Sequence, residues 1–230
     1  YITSINAQNQ VTVDPAGDFA ADSDEVVQLF GYGAGTHRVY YDHSPDRVIT
    51  PTIPTGRLET GPRTVPEPWR IASPADAKRI VTETIKAGVG LMIYNGHSHH
   101  WQYAYLEDRA GNPVTSLLSI ADSPFFTNGE KLFVGLSMTC LTSQFAVPAV
   151  SGTLDETLVR SNTGGAVATW GPTGLSVAHG HSYLQKGFVS QLRNSPPNTQ
   201  RMGALVKAGY DALLFSPTSS LDALKTFVLL

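Results

Sequence analysis

The sequence has one cysteine, no long apolar run and no strong excess of charge of either sign. Cys140 is the only cysteine among 230 residues, which excludes an internal disulfide, so the cysteine count says nothing about the redox compartment. No apolar stretch approaches the roughly 20 residues that cross a bilayer, so we predict no membrane span. A net charge of -3 gives no electrostatic reason to expect nucleic acid or an anionic membrane as a partner.

The chain does contain short apolar runs that alternate with amphipathic helical patterns. Residues 89–94 and 132–138 are apolar, rich in strand formers and bounded by small or polar residues, as buried parallel strands are. Ser73 is a suitable N-cap for a helix over residues 74–87, which leads directly into the first of these strands. Further helices are predicted at residues 154–161, 176–192 and 199–214, and strands at 164–171 and 226–230. This order predicts an α/β fold.

Both ends of the chain suggest that it is part of something longer. Tyr1 is not a start methionine, and the chain stops inside the apolar run 226–230. We therefore expect a fragment of a larger parent polypeptide. Within it, we predict a single domain over residues 1–230, in which residues 1–50 form a loop-rich N-terminal portion.

A histidine and the cysteine each follow one of the two apolar runs. The first run ends at Asn95-Gly96-His97-Ser98, and the second ends just before Cys140. Because ligands bind at the carboxyl ends of strands in open α/β sheets, a thiol and an imidazole are expected at one edge. That pair is the basis of a cysteine nucleophile with a histidine base.

The segments Tyr94-Asn95-Gly96-His97-Ser98 and Met138-Thr139-Cys140-Leu141-Thr142-Ser143-Gln144-Phe145 carry a resemblance to a known family. Weaker likenesses follow the same order: Gly56-Arg57-Leu58, the helix and glycine-led strand within residues 154–168, and the final run 227–230. Over roughly residues 50–230 the chain resembles the gingipain family of cysteine peptidases. The resemblance implies a caspase-like α/β fold, with a mostly parallel sheet flanked by helices on both faces.

The resemblance also implies an activity: a cysteine endopeptidase that hydrolyses polypeptide substrates through an acyl-enzyme. Cys140 is then the nucleophile and His97 the base, with Asp46 (or Asp42) orienting the imidazole. The backbone N–H groups of Ser98 and Cys140 form the oxyanion hole, although the family usually has glycine where this chain has Ser98.

The remaining implications concern the surroundings of the site. Trp170, Gly171 and Thr169 are expected to wall the pocket for the residue before the scissile bond. No cofactor and no catalytic metal are expected. The resemblance is compatible with a bound structural calcium ion. Secretion or a place on a bacterial-type cell surface is expected.

Other interpretations remain open at this stage. Cys140 alone could be a core cysteine, His97 a turn histidine and Trp170 an ordinary core residue. Serine at position 98 favours a catalytically inactive binding or structural module with the same fold. A metal-dependent hydrolase could use two histidine groups, and calcium could use an acidic loop whose spacing is not that of an EF-hand. The first histidine group is His97, His99 and His100 with Glu107, and the second is His179 and His181. The acidic loop contains Asp14, Asp18 and Asp22.

Overall fold

The computed structural model describes most of the chain from residue 70 onward and separate strands before it. The described residues are 2–5, 11–13, 25–31, 36–41, 70–108, 110–147, 152–196, 199–217 and 221–230. The strands are β1 (Ile2–Ile5), β2 (Val11–Val13), β3 (Glu25–Gly31), β4 (Thr36–Tyr41), β5 (Arg70–Ile71), β6 (Val89–Asn95), β7 (Ser98–His99), β8 (Gln102–Glu107), β9 (Pro113–Ser119), β10 (Phe133–Met138), β11 (Ala166–Pro172) and β12 (Phe227–Leu229). The helices are α1 (Pro74–Ala87), α2 (Leu154–Arg160), α3 (Ala178–Asn194), α4 (Met202–Leu214) and α5 (Leu221–Thr226), with a 3-10 helix at Ile120–Phe125.

Within the described residues, a seven-stranded sheet organises the fold in the order β12-β11-β10-β6-β3-β4-β5. Strands β6, β10 and β11 are parallel neighbours, whereas β3 is antiparallel to β6 and β12 is antiparallel to β11. Because β4 is antiparallel to β3 and β5 is parallel to β4, five of these seven strands point in one direction. The predicted mostly parallel α/β sheet is therefore confirmed.

The sheet is covered on both faces, and the alternation of side chains along β6 shows how. Met92 and Tyr94 pack into one apolar cluster, while Leu91 and Ile93 pack into a second cluster. The helical members of the two clusters are Ala77, Val81, Ile85, Leu154 and Leu158 in the first, and Leu184, Phe188, Val189, Leu205, Val206, Leu213 and Ala223 in the second. Helices α1 and α2 thus cover one face, and α3 and α4 cover the other.

Helix α1 begins and ends where the sequence predicts. The Ser73 side chain accepts a hydrogen bond from the Asp76 N–H at 3.2 Å, and Pro74 occupies the first helical position. Gly88 ends the helix with φ +104°, a conformation that glycine adopts without the strain that a side chain causes. The chain then enters β6 at once, which places the C-terminal end of β6 at a fixed edge of the sheet.

Residues 98–119 lie between β6 and β10 of the main sheet. They form a three-stranded antiparallel sheet in the order β7-β8-β9. Tyr103 and Leu106 of β8 are buried, and the Tyr103 ring stacks on Tyr94 of the main sheet at 3.9 Å between ring centroids. This small sheet begins one residue after His97, so it fixes the backbone on that side of the predicted site.

Helices α3 and α4 pack closely because glycines lie at their contact. A Cβ on Gly187 would lie 2.2 Å from the Ala208 carbonyl oxygen, and a Cβ on Gly209 would lie 2.4 Å from the Trp170 ring. The two backbones therefore approach more closely than larger residues allow. Among the described residues, no helix combines the length and apolarity that crossing a membrane requires.

Candidate active site

His97 and Cys140 follow the ends of adjacent strands. In the parallel pair of β6 and β10, Asn95 lies opposite Met138, and His97 and Cys140 each come two residues later. Neighbouring strands are about 4.8 Å apart, so the two segments leave the sheet side by side. The Thr139 hydroxyl donates a hydrogen bond to the Gly96 carbonyl at 2.7 Å, which ties the two segments together beyond the last strand pair.

The backbone of His97 is held firmly while its side chain is exposed. Its carbonyl accepts hydrogen bonds from the Ala104 N–H at 2.9 Å and from the Tyr94 hydroxyl. Tyr94 is itself fully buried beneath Tyr103. The imidazole is therefore carried on an anchored turn at the surface of the protein.

Cys140 is a free, half-buried thiol held between two loops. Its Sγ lies 3.4 Å from the Ser176 N–H, which donates to it, and 3.5 Å from the Ser176 carbonyl oxygen. Leu141, the next residue, has φ +63°, which is unusual for a branched residue and costs energy. This strained backbone conformation directly follows Cys140. The interpretation of Cys140 as an ordinary core cysteine does not fit its half-exposed position after the strand.

Ser98 contacts the backbone on both sides of Cys140. Its Oγ accepts a hydrogen bond from the Cys140 N–H at 3.1 Å and donates to the Cys140 carbonyl. The same oxygen lies 2.6 Å from the Thr139 hydroxyl. The Cys140 amide, which the resemblance assigns to the oxyanion hole, therefore already has a partner in this structure.

Asp155 is a buried carboxylate behind the Cys140 loop, which we define as residues 139–147. It has no exposed surface and accepts hydrogen bonds from the hydroxyls of Ser137 and Thr142, both at 2.8 Å, and of Ser143 at 2.6 Å. Burial raises the pKa of Asp155, and the three hydroxyl donors oppose that rise. One carboxylate thus fixes both ends of the turn that carries Cys140.

Of the two acidic residues in the first turn of α2, Asp155 and Glu156, only Glu156 caps the helix. Thr153 and Glu156 form a reciprocal capping box at the start of α2. Asp155, one position earlier, faces the sheet instead. The sequence signal for a buried acceptor was the group of hydroxyl residues Ser137, Thr142 and Ser143 around Cys140, because buried hydroxyls need hydrogen-bond acceptors.

Tyr103 and Gly171 complete the surroundings of this carboxylate. The Tyr103 hydroxyl lies 2.7 Å from the Ser137 hydroxyl, and burial raises the pKa of Tyr103 well above its usual value. A Cβ on Gly171 would lie 2.2 Å from Asp155 Oδ2. Glycine at position 171 is therefore required by Asp155, and Gly171 is buried rather than open to a ligand.

The other two residues expected to wall the pocket are also buried. Trp170 and Thr169 have no exposed surface, and the Trp170 ring packs against Phe188, Tyr210 and Phe227 at 5.4–5.8 Å between centroids. The burial of Trp170 favours the alternative interpretation of a core residue. Leu175 and Val177, on either side of the Ser176 backbone that contacts Cys140 Sγ, are exposed apolar side chains.

Trp170→Phe is expected to lower the free energy of unfolding by about 1–3 kcal/mol, because it removes buried ring volume and the hydrogen bond from Trp170 Nε1 to the Tyr210 hydroxyl. Urea unfolding measures this change, and KM for a peptide substrate should not move. Trp101→Phe, at a half-buried position, is the matched control and should cost less. A raised KM with unchanged stability would instead indicate a pocket wall.

The histidines 99 and 100 form an aromatic group with Trp101. The His99 and His100 rings lie 3.7 Å and 4.2 Å from the Trp101 ring, and burial followed by the charge of His99 lowers the pKa of His100. In the described part of the chain, no three or more His, Cys, Asp or Glu residues are grouped closely enough to hold a metal ion. His181 of α3 is buried against Phe227. Asp46 and Asp42, like Asp14, Asp18 and Asp22, lie outside the described residues.

Comparison with known proteins identifies the family. The sequence model of Peptidase family C25, the gingipain family, matches residues 6–230. The chain belongs to peptidase family C25. The predicted resemblance and the predicted class of protein, a cysteine peptidase and so a hydrolase, are confirmed at the level of the family.

Solved structures agree on the fold. The Arg-specific cysteine proteinase gingipain R (RgpB) is 17% identical with a TM-score of 0.55, and the match covers 66% of this chain and 34% of that one. A complex of the pro- and mature domains of RgpB from Porphyromonas gingivalis is 16% identical with a TM-score of 0.56, covering 66% and 35%. The chain therefore spans about a third of the length of these structures, and they confirm its caspase-like fold. No curated protein matches the chain.

Proposed function

We propose that this domain is a cysteine endopeptidase in which Cys140 is the nucleophile and His97 the general base. The observation that carries the proposal is the register of β6 and β10, which brings the two residues to the same edge of the sheet at the same height. The half-buried position of Cys140 and the exposed His97 on its anchored turn agree with it. Membership of family C25 makes a polypeptide the substrate class.

The reaction would run through a thioester. His97 takes the proton of the Cys140 thiol, and the sulfur attacks the carbonyl carbon of the scissile bond. His97 then protonates the leaving amine, and a water molecule, activated by the same imidazole, hydrolyses the acyl-enzyme. The N–H groups of Ser98 and Cys140 would stabilise the oxyanion, with each such donor contributing roughly 3–4 kcal/mol in known cases.

The orientation of the imidazole and the contact with substrate follow from the surroundings. Hydrogen bonds from Tyr94 and Ala104 fix the His97 backbone. Asp46, which lies outside the described residues, stays the predicted carboxylate that orients the imidazole. Leu175 and Val177, which flank the residue in contact with Cys140 Sγ, would give the substrate an apolar surface. Secretion of the protein, and its place in a longer polypeptide, stay predictions.

Alkylation tests the proposal directly. Iodoacetamide and a peptidyl chloromethyl ketone should each add one group to Cys140 in the native protein, detected by mass spectrometry. His97→Ala should slow native labelling at least about tenfold, because the base that removes the thiol proton is lost. His100→Ala is the matched control and should label at the rate of the native sequence.

Two outcomes would overturn the assignment. Labelling of Cys140 only after unfolding in urea would mean that the sulfur is closed to substrates. Equal rates of Cys140 alkylation in the native His97→Ala and His100→Ala variants would mean that His97 does not remove the thiol proton.

A non-catalytic binding or structural module is the second candidate, and one observation favours it. The Cys140 amide is engaged by Ser98 Oγ at 3.1 Å, so one of the two predicted oxyanion donors is occupied. A protein that labels slowly at Cys140, and that cleaves no peptide, would support this second candidate.

A further inference from the structure

Ser98 stands where the resemblance predicts glycine, and its side chain reaches the segment that follows the neighbouring strand. Ala104 N–H donates to the His97 carbonyl, so Ser98 and Tyr103 form a pair in the β7–β8 ladder that do not bond to each other. In such a pair the N–H is directed away from the partner strand. The Ser98 backbone N–H therefore does not bond to β8, and the Ser98 side chain contacts the backbone of Cys140.

The hydrogen bonds around the Ser98 hydroxyl follow from which groups can donate and which can accept. The Cys140 N–H can only donate, so Ser98 Oγ accepts from it at 3.1 Å. Ser98 donates its own proton to the Cys140 carbonyl oxygen, and its oxygen accepts a second hydrogen bond from the Thr139 hydroxyl at 2.6 Å. The single Thr139 proton is shared between Ser98 Oγ and the Gly96 carbonyl oxygen, which lies 2.7 Å away. The hydroxyl of Ser98 is therefore held by both backbone groups of Cys140 and by the Thr139 hydroxyl.

The distance of the Ser98 hydroxyl from the Cys140 amide is within the range expected for an oxyanion. An oxyanion is stabilised when its oxygen lies about 2.7–3.1 Å from the donor nitrogen. Ser98 Oγ lies 3.1 Å from the Cys140 nitrogen. A backbone N–H has one proton, so its hydrogen bond to Ser98 competes with one to a substrate carbonyl.

We propose that the Ser98 hydroxyl is a built-in occupant of the oxyanion site, which a substrate must displace before Cys140 can react productively. This inference rests on the proposed function of Cys140. Displacement requires only rotation about the Cα–Cβ bond of Ser98, since its side chain has three staggered positions. Substrates that bind through many contacts would displace the hydroxyl, whereas short peptides would do so poorly.

Ser98→Gly and Ser98→Ala remove the occupant and are expected to raise kcat/KM for a short peptide about tenfold. The matched control is Ser190→Ala, at an exposed position on α3. Both variants are used because glycine also increases the freedom of the backbone, whereas alanine does not. An effect of backbone freedom alone would therefore appear only in Ser98→Gly. Circular dichroism and thermal unfolding verify that each variant is folded.

A second pair of reagents separates this role from a general structural one. A peptide aldehyde forms a tetrahedral adduct whose oxygen needs the oxyanion site, whereas alkylation by iodoacetamide forms no oxyanion. Both Ser98 variants should bind the aldehyde about tenfold more tightly, with little change in the alkylation rate. A structural disturbance would move both readouts together.

Each result decides between the two proposals. Unchanged or weaker aldehyde binding in Ser98→Gly and Ser98→Ala, with Cys140-dependent activity in the native sequence, overturns the inference on Ser98 alone. Weaker binding in both variants would make the hydroxyl a donor to the oxyanion. Absence of Cys140 labelling, cleavage and aldehyde binding in all of these proteins overturns the proposed function, and the inference with it.

Discussion

Cys140→Ala is expected to lower kcat/KM for peptide hydrolysis at least about 10⁴-fold, because no other group in the proposed mechanism can form the acyl-enzyme. Cys140 is the only cysteine in the chain, so no second thiol can replace it. The removed sulfur is half-buried, and its contacts are two backbone groups of Ser176. The variant should therefore fold, and the loss should lie in kcat. The assay is cleavage of a fluorogenic peptide library at neutral pH.

The His97→Ala variant provides the test of whether the two residues act as a unit. It should lower kcat/KM by a similar factor, and the double variant should lose little more than either single one, because groups in one mechanism are not additive. His100→Ala is again the control and should retain activity. Additive losses, or full activity of Cys140→Ala, would contradict the proposed mechanism.

The parts of the fold that sequence predicts well are those in which local signals agree. Helix α1 has a cap residue, a proline, an apolar stripe and a terminal glycine, and its bounds match the structure. Strands β6 and β10 are continuous apolar runs, which only a doubly covered central position explains. Their adjacency gives the edge of the sheet where the candidate site lies.

Other parts depend on contacts that no local pattern encodes. The sheet β7–β9 is stabilised by Tyr103 stacking on Tyr94, which joins two distant segments, and its polar residues obscure the alternation. In the sequence, Trp170 lies near the end of a glycine-led strand, a position that suits a pocket wall as well as a core. Only the packing of α3 and α4 against the sheet decides in favour of the core.

The side chains around the nucleophile illustrate the same limit at the scale of single atoms. The resemblance to the family implies that Ser98 stands in place of a glycine after His97, and serine still supplies a backbone amide there. It does not indicate that the hydroxyl reaches Cys140, since this depends on the register between β6 and β10 and on the start of β7. The distance of 3.1 Å between Ser98 Oγ and the Cys140 nitrogen is a tertiary property.

Asp155→Ala is expected to lower the free energy of unfolding by about 3–5 kcal/mol, since removing one partner from a buried charged network leaves the others unsatisfied. The three hydroxyls of Ser137, Thr142 and Ser143 would lose their common acceptor in a site without solvent. Asp155→Asn should cost less, because one carbonyl oxygen remains as acceptor. Urea unfolding of both variants measures these changes. The control is Asp211→Ala on α4, whose exposed pairing with Lys207 should contribute little.

The pH dependence of stability separates the effect of ionising Asp155 from the effect of its size and shape. Burial raises the pKa of Asp155 in the folded protein, so folding favours the protonated form. The resulting stabilisation is complete below the ordinary carboxyl pKa of about 3.9 and is lost as the pH rises through the raised value of the folded state. The stability of the native sequence relative to Asp155→Asn should therefore decrease as the pH rises above about 4, because the asparagine does not titrate. A difference that stays constant, or that grows with pH, would mean that the three hydroxyl donors outweigh burial and that the folded state prefers the ionised carboxylate.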